Sequence, residues 1–567
     1  MLTKFPQKLL KAKIFVLVLL LLIIPSFSSL LRPGFFPMQD DLQAFRIQQM
    51  DKCIGDLQIP CRWIPDAGYQ YGYPLFNYYA PGVYYLGEVF HLVGFGFIDS
   101  VKILFILGFI TGALGMYILV KEFFGPYPAL IASVLYTYAP FKAVEVYVRG
   151  SLSEFFALTF FPLIFWSSYK LVKTGKLNYA LWFCISLGAL LITHNLLPVI
   201  FLPITAIWIT YWLFMEKKGR KLKKIISFSL LGVGLAAFFV LPMLFERKYV
   251  HVETLLSGYF DYRQHFVDLR QMFLSNNWGY GSSVLGPHDD LALSSGLVLL
   301  TLGLIAGVLA IANIKRQKKI APLVLLLLSV ELGVLFLMHL RSSFIWEALA
   351  SLAWLQFPWR FLSDSIFILA FIAAFAIHFS GKFKYALGAA TIVAVFLLYG
   401  SFFQPKAWFN MTDKEKFEGT SWEKQLTISI FDYLPIYAQL PPEARAPELP
   451  EVLQGDVKFM GYKKGSDYHQ GTVEVNENST LRVPLFDFPG MKVLVDGVET
   501  PHYRDCSNQD PCLGLVTFNL EPGDKLVKVE LKNTPVRATG NIISIFSGLV
   551  VLGLFFRRHE KEAKIFG

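Results

Sequence analysis

The chain is short of charge. Only 17% of its 567 residues are Asp, Glu, Lys or Arg, while 54% are hydrophobic. A soluble protein of this size carries more charge, so a soluble globular fold is excluded. The chain also lacks a Gly-rich phosphate loop, a GxSxG elbow and an HExxH pair. Those absences argue against an ATP-driven pump and a standard hydrolase. No internal repeat or low-complexity segment is present. Cysteine is scarce, with five residues. Cys184 lies in an apolar run and reads as a small core residue. Cys53 and Cys61, and Cys506 and Cys512, form two close pairs. Neither has CxxC spacing or a His cluster beside it, so two local disulfides in an oxidising compartment are expected rather than zinc.

What is abundant is apolar sequence in runs near the length that crosses a bilayer, about 20 residues. The runs fall near 14–31, 103–120, 127–141, 155–169, 179–193, 197–214, 225–244, 291–311, 320–340, 361–379, 385–403 and 542–556. The reading is a polytopic α-helical membrane protein of about twelve transmembrane helices. The first run follows Lys4, Lys8, Lys11 and Lys13, as in a signal peptide. The Ser-rich stretch from Pro25 to Ser29 is a poor cleavage site, so a retained helix is expected.

The net charge of +10 does not point to nucleic acid. The basic residues sit in short clusters between the apolar runs: Lys170 to Lys176, Lys217 to Lys224, Lys315 to Lys319, Lys382 with Lys384, and Arg557-Arg558. With twelve spans all of these lie on one side, which the positive-inside tendency makes cytoplasmic. Both termini are then cytoplasmic in a plasma (inner) membrane. Residues 1–403 form the membrane domain, with a first extracytoplasmic loop over 32–100. Residues 539–567 form a last helix and basic tail. Residues 404–538 hold no span. Instead they show alternating runs at 472–475, 480–485, 492–495, 515–520 and 526–531, with turn signals at Asp496-Gly497 and Pro522-Gly523. This predicts an extracytoplasmic β-sandwich-like domain. Within 32–100, the segment from Pro81 to Phe97 reads as a helix lying along the surface.

The chemistry-bearing residues gather on the outer side. Asp40-Asp41 follows the first span. Paired carboxylates can serve as a base or as metal ligands; Asp before Leu42-Gln43-Ala44-Phe45 also makes a good helix cap. Arg62-Trp63 and the tyrosine-dense stretch from Gly68 to Tyr79, including Tyr78, follow in the same loop. Glu145, Arg149 and Glu154 flank the second outer loop. There Arg149 is placed either to clamp a phosphate or to pair with a neighbouring Glu. His194 and Asn195 end a span on the outer side, where polar groups are functional candidates or hydrogen-bonded structural residues. His265 lies in the long loop after the seventh run. Gln356-Phe357-Pro358-Trp359-Arg360-Phe361 precedes the tenth, with Trp359 and Arg360 able to line a sugar or lipid-phosphate pocket or to form an aromatic belt with a snorkelling Arg.

An acidic pair in an early outer loop resembles the GT-C glycosyltransferase superfamily. The signatures Arg62-Trp63, Gly72-Tyr73-Pro74-Leu75-Phe76-Asn77-Tyr78-Tyr79, Val148-Arg149-Gly150, Thr193-His194-Asn195 and Phe357-Pro358-Trp359-Arg360 are similar to those of a bacterial membrane family labelled 6-pyruvoyl-tetrahydropterin synthase-related. Nothing in the chain looks like a soluble pterin enzyme. The resemblance implies a GT-C-like membrane domain and an inverting glycosyltransferase. Its donor would be a polyprenyl-phosphate-linked sugar, and its acceptor an extracytoplasmic glycan, lipid or protein. It implies a catalytic acid at Asp40 or Asp41, with a slight preference for Asp41 as base or metal ligand. The substrate-binding set would be Arg62, Tyr78, Arg149, Glu154, His194, Asn195, His265, Trp359 and Arg360. A divalent cation, Mg or Mn, is the one cofactor left open. The competing class is a non-catalytic membrane protein that handles or transports lipid or glycan in envelope assembly.

Overall fold

The computed structural model describes residues 4–273, 277–284, 289–507 and 509–566. Among these, seven helices are long and apolar enough to cross a membrane, or up to nine if each of two bent pairs is one span. Three shorter apolar helices, Lys13–Ser26, Leu177–Thr193 and Leu297–Asn313, accompany them. The helix over Pro358–Phe379 is apolar around most of its length after Asp364, and 94% of its spanning window is buried. A helix with no polar face must be surrounded, and this one is the axis of the bundle. The helix over Pro535–Arg557 is its opposite, with 17% of its window buried, and leans on the outside.

Two breaks shape the face that carries the first loop. Pro140 has no N–H to donate and its ring obstructs the preceding turn. The helix Pro126–Thr137 therefore bends by 49° into Pro140–Arg149. The last turns, Val144–Arg149, are widened π-type turns, a form that recurs at functional sites. They bring Glu145 and Arg149 together at the rim. The second break, of 75°, separates Gly219–Leu235 from Ala237–Phe245. The expected surface helix is Gly82–Leu92. It is short, because Gly94 and Gly96 intervene before the long helix Phe97–Phe124.

The C-terminal strands are β1 (Glu451–Gln454), β2 (Val457–Lys464), β3 (Tyr468–Val475), β4 (Ser479–Phe486), β5 (Met491–Val495), β6 (Val498–Thr500), β7 (Tyr503–Arg504), β8 (Leu515–Leu520) and β9 (Gly523–Leu531). They form two antiparallel sheets, ordered β1-β4-β8-β7 and β2-β3-β9-β5-β6. Period-2 alternation turns Leu481, Val483, Phe518 and Leu520 of one sheet and Val473, Val475, Val493 and Val529 of the other into a common core. Asp496 and Gly497 both take positive φ between β5 and β6, the requirement of a tight hairpin turn.

This β domain sits on the first loop. Trp63 packs on Phe488 with centroids 5.6 Å apart, and Tyr71 O accepts the Phe486 N–H at 3.1 Å. The strands begin only at Glu451; residues 404–450 wrap the first loop instead. Asp413 caps the Phe97–Phe124 helix from a distance, accepting the Phe97 and Ile98 N–H groups at 2.7 and 2.9 Å. The disulfides Cys53–Cys61 and Cys506–Cys512 are formed, and Cys184 is free and buried.

Candidate active site

The first loop, the helix ends beside it and the 404–450 wrap enclose a cavity of about 570 Å³. Asp40 reaches it through a backbone clasp. The Gln39 N–H donates to Val148 O at 3.0 Å, and the Asp40 N–H to Arg149 O at 2.8 Å. The clasp requires glycine at 150. Gly150 has φ +65, and a Cβ there would sit 2.2 Å from Met38 Sδ. This accounts for Val148-Arg149-Gly150 as a unit.

Asp40 is one third exposed and accepts from Arg46 Nη1 and Gln43 Nε2, both at 2.8 Å. Arg46 is buried. Burial alone would ease its proton off, but Asp40 beside it outweighs that and holds the guanidinium charged. Arg46 also lies 4.4 Å from the centre of the Tyr79 ring.

Asp41 is outside the cavity lining. Its Oδ2 accepts from Lys416 Nζ at 2.7 Å. Burial raises its carboxyl pKa, and Lys416 opposes the shift. A divalent cation does not fit this pair. Mg²⁺ demands a near-octahedral set of oxygens, whereas Asp40 and Asp41 are each committed to a protein cation, leaving Asp41 Oδ1 as the one buried oxygen of the pair without a partner. Among the described residues no group of three or more His, Cys, Asp or Glu converges to hold a metal.

A second charged centre forms the opposite wall. Fully buried Glu154 gathers Arg149 at 2.9 Å, Arg360 at 3.4 Å and His194 Nε2 at 3.9 Å. Arg149 also pairs with Glu145 and lies 4.6 Å above the Trp359 ring. Arg360 donates to Gln356 Oε1 at 3.0 Å. The His194 tautomer is set by its backbone: Nδ1 accepts the Leu196 and Leu197 N–H groups at 3.1 and 3.0 Å, so the ring proton is on Nε2, toward Glu154. Arg149, His194, Asn195, Trp359 and Arg360 all line the cavity, as does Tyr78. Asn195 donates to Tyr78 O at 2.6 Å.

Three expected residues stand behind the walls. Glu154 is one. His265 bonds Ser283 Oγ at 2.6 Å and packs edge-on against Phe357, so it supports the aromatic wall. Arg62 donates to Phe238 O at 3.0 Å and Asn541 Oδ1 at 2.8 Å. It ties the last helix to the bent pair. Burial, with Arg537 nearby, lowers its pKa to about 10.

The cavity holds functional groups that the motif reading did not single out. Arg46 lies six residues after Asp40, in the first turn of the helix Gln43–Gly55; that spacing was the available signal. Asp432 comes from the wrap and lines the cavity facing the same space as Asp40. Its flanks, Phe431 and Tyr433, were a weak signal in a segment without periodicity.

Residues 76–281 match the model of a family described as 6-pyruvoyl-tetrahydropterin synthase related domain, membrane protein. The resemblance expected from the signatures is borne out over that segment. No curated protein matches the chain. Among solved structures it is similar to the apo oligosaccharyltransferase of Archaeoglobus fulgidus, at 12% identity and a TM-score of 0.41, over 78% of this chain and 62% of that one. It is also similar to the arabinofuranosyltransferase AftD from Mycobacteria, at 15% identity and a TM-score of 0.42, over 70% of this chain and 27% of that one. The chain thus spans less than two thirds of either neighbour's length.

Proposed function

We propose, for a membrane protein whose residues 76–281 match that family model, that it transfers a sugar from a polyprenyl-phosphate donor to an acceptor outside the membrane. One observation carries the reading: a single cavity is lined by the carboxylate of Asp40 and by two arginines, Arg149 and Arg360, on another wall. Glycosyl transfer needs these parts. The acceptor hydroxyl needs a carboxylate, and the departing phosphate needs fixed positive charge. Glu145 and Glu154 hold the arginines in place, so they need no reorganisation when the leaving group develops charge. Trp359, Phe357 and Tyr78 supply apolar faces for a sugar ring or the first isoprene units. Inversion at the anomeric carbon follows from direct displacement by the acceptor.

The proposal includes a topology of twelve spans, with both termini cytoplasmic and the β domain extracytoplasmic. Its support is the one-sided set of basic clusters. The membrane domain is 1–403, the outer domain 404–538 and the terminal segment 539–567.

Membranes containing the protein, supplied with polyprenyl-phosphoryl mannose or glucose, are expected to release polyprenyl phosphate faster than membranes without it. Arg360→Gln is expected to remove most of that gain. A protein that only carries lipid or glycan would bind these donors and leave them intact.

A further inference from the structure

The cavity has a second carboxylate, and it is presented on a constrained turn. After the helix Gly419–Thr427, Ser429 adopts φ +58, a left-handed conformation that L side chains seldom take and that clusters at functional sites. Two tyrosines of the first loop hold the turn. The Tyr73 hydroxyl reaches the carbonyls of Ser429 and Ile430, each at 3.2 Å, and accepts the Tyr433 N–H at 2.6 Å. The Tyr433 ring stacks on Tyr78 with centroids 5.6 Å apart and planes 16° from parallel. Gly72, at φ +80, lets the chain pass against the Trp63 indole on the way to Tyr73. The Gly72-Tyr73-Pro74 signature is therefore a clamp on residues 429–433, of which Ser429, Asp432 and Tyr433 line the cavity, and Asp432 is the carboxylate among them.

Asp40 and Asp432 share the cavity but differ in their partners. Asp40 is ion-paired to buried Arg46 and also bonded to Gln43. Both partners are donors that fix the carboxylate in place, so it is positioned to orient a hydroxyl. Asp432 has no ion-pair partner among the described residues. Burial, with a smaller push from Asp40, raises its carboxyl to about 6, against the pull of the Ser429 hydroxyl and of Arg46. A base works best with a pKa near the operating pH.

We propose that Asp432 is the proton acceptor of this site and that Asp40, fixed by Arg46, orients the acceptor hydroxyl. This rests on the transferase reading. The acceptor O–H proton passes to the Asp432 carboxylate as the acceptor oxygen forms its bond to the anomeric carbon. The bond from that carbon to the phosphate oxygen breaks, and its electron pair stays on the phosphate, beside Arg149 and Arg360. Asp432 then loses the proton to water at the cavity mouth.

The test uses the full-length protein and two readouts. The first is polyprenyl phosphate release from polyprenyl-phosphoryl mannose or glucose, in membranes that supply the acceptor, from pH 5 to 8. The second is the melting temperature of the purified protein over the same range. Asp432→Asn is expected to lower the rate about 10²–10⁴-fold. The wild-type rate should fall below about pH 6. Asp40→Asn should keep that fall in its residual rate, and Asp432→Asn should lose it. The second readout does not depend on activity. A folded-state pKa above the unfolded value makes stability drop as pH rises through that interval. Removing the ionisable group should therefore leave the melting temperature at pH 7.5 equal to or above wild type. An active wild type with Asp432→Asn within threefold of it overturns the assignment alone. So does a lower melting temperature for Asp432→Asn at pH 7.5, which would make Asp432 a structural acid of the turn. A wild type that releases no polyprenyl phosphate overturns the transferase reading and this assignment together.

Discussion

Glu154 holds Arg149 at 2.9 Å from a position with no exposure to solvent, and the same oxygen faces Arg360 at 3.4 Å. One buried carboxylate oxygen thus fixes two of the arginines that line the cavity.

Removing one partner from a buried ion pair costs about 3–5 kcal/mol, because the other charge is left uncompensated. Glu154→Gln is expected to destabilise the purified protein by that order and to abolish transfer in the fraction that stays folded. Thermal unfolding in detergent and donor turnover per folded protein check the two parts. An unchanged melting temperature would mean that Glu145 alone satisfies both arginines.

The acidic pair divides its labour. Asp40 faces the cavity, and Asp41 faces Lys416. Asp40→Asn is expected to lower turnover at least tenfold. Asp41→Asn is expected to stay within twofold of wild type. Lys416 is 1% exposed, so Asp41→Asn leaves a buried charge without its partner and should destabilise the protein by up to about 3–5 kcal/mol. Turnover in membranes of matched protein content distinguishes the two; the reverse ranking would return the catalytic role to Asp41.

The pattern of the sequence made some of this legible. Charge scarcity and apolar runs locate the helices, because a bilayer leaves few alternatives for a long apolar segment. Alternation locates β3, β4, β5, β8 and β9, whose inner faces build the common core. The edge strands β1 and β2 are partly exposed and carry a weaker pattern. The cavity is harder to read, since its walls come from segments as distant as Asp40 and Asp432. Which of two adjacent aspartates turns inward depends on the reach of Lys416 from the 404–450 wrap, a contact over 375 positions. The family resemblance implies a binding role for Arg62, yet its partners are Asn541 and Phe238.

Arg537 makes a second long-range prediction. Its side chain is 1% exposed, and Nε donates to Glu246 Oε2 at 2.8 Å, a carboxylate that also accepts from Asn77 at 3.0 Å. Tyr78 of the cavity wall donates to the Glu246 carbonyl at 2.7 Å. Arg537→Ala should therefore cost about 3–5 kcal/mol and raise the KM for donor as Tyr78 loosens. A double-mutant cycle with Glu246→Gln should show a coupling above about 0.5 kcal/mol; additivity would remove the network.

The last prediction concerns sidedness, on which the transferase reading depends. A polyprenyl-phosphate sugar used outside requires the cavity, the first loop and the β domain on one side and the basic clusters on the other. In the structure the β domain sits on the first loop through Trp63 and Phe488, so the two share a side in any orientation. The Lys217–Lys224 cluster follows the helix Leu197–Met215 at the end remote from His194. Exposed positions report on each side: Arg220 in that cluster, and Glu477 between β3 and β4. In intact cells a membrane-impermeant thiol reagent is expected to label Glu477→Cys and not Arg220→Cys. After permeabilisation both should label. The two native disulfides do not react, and Cys184 is buried, so the background is low. Labelling of Arg220→Cys in intact cells would invert the protein. The cavity would then open to the cytoplasm, and the proposed donor and acceptor would have to be reassigned.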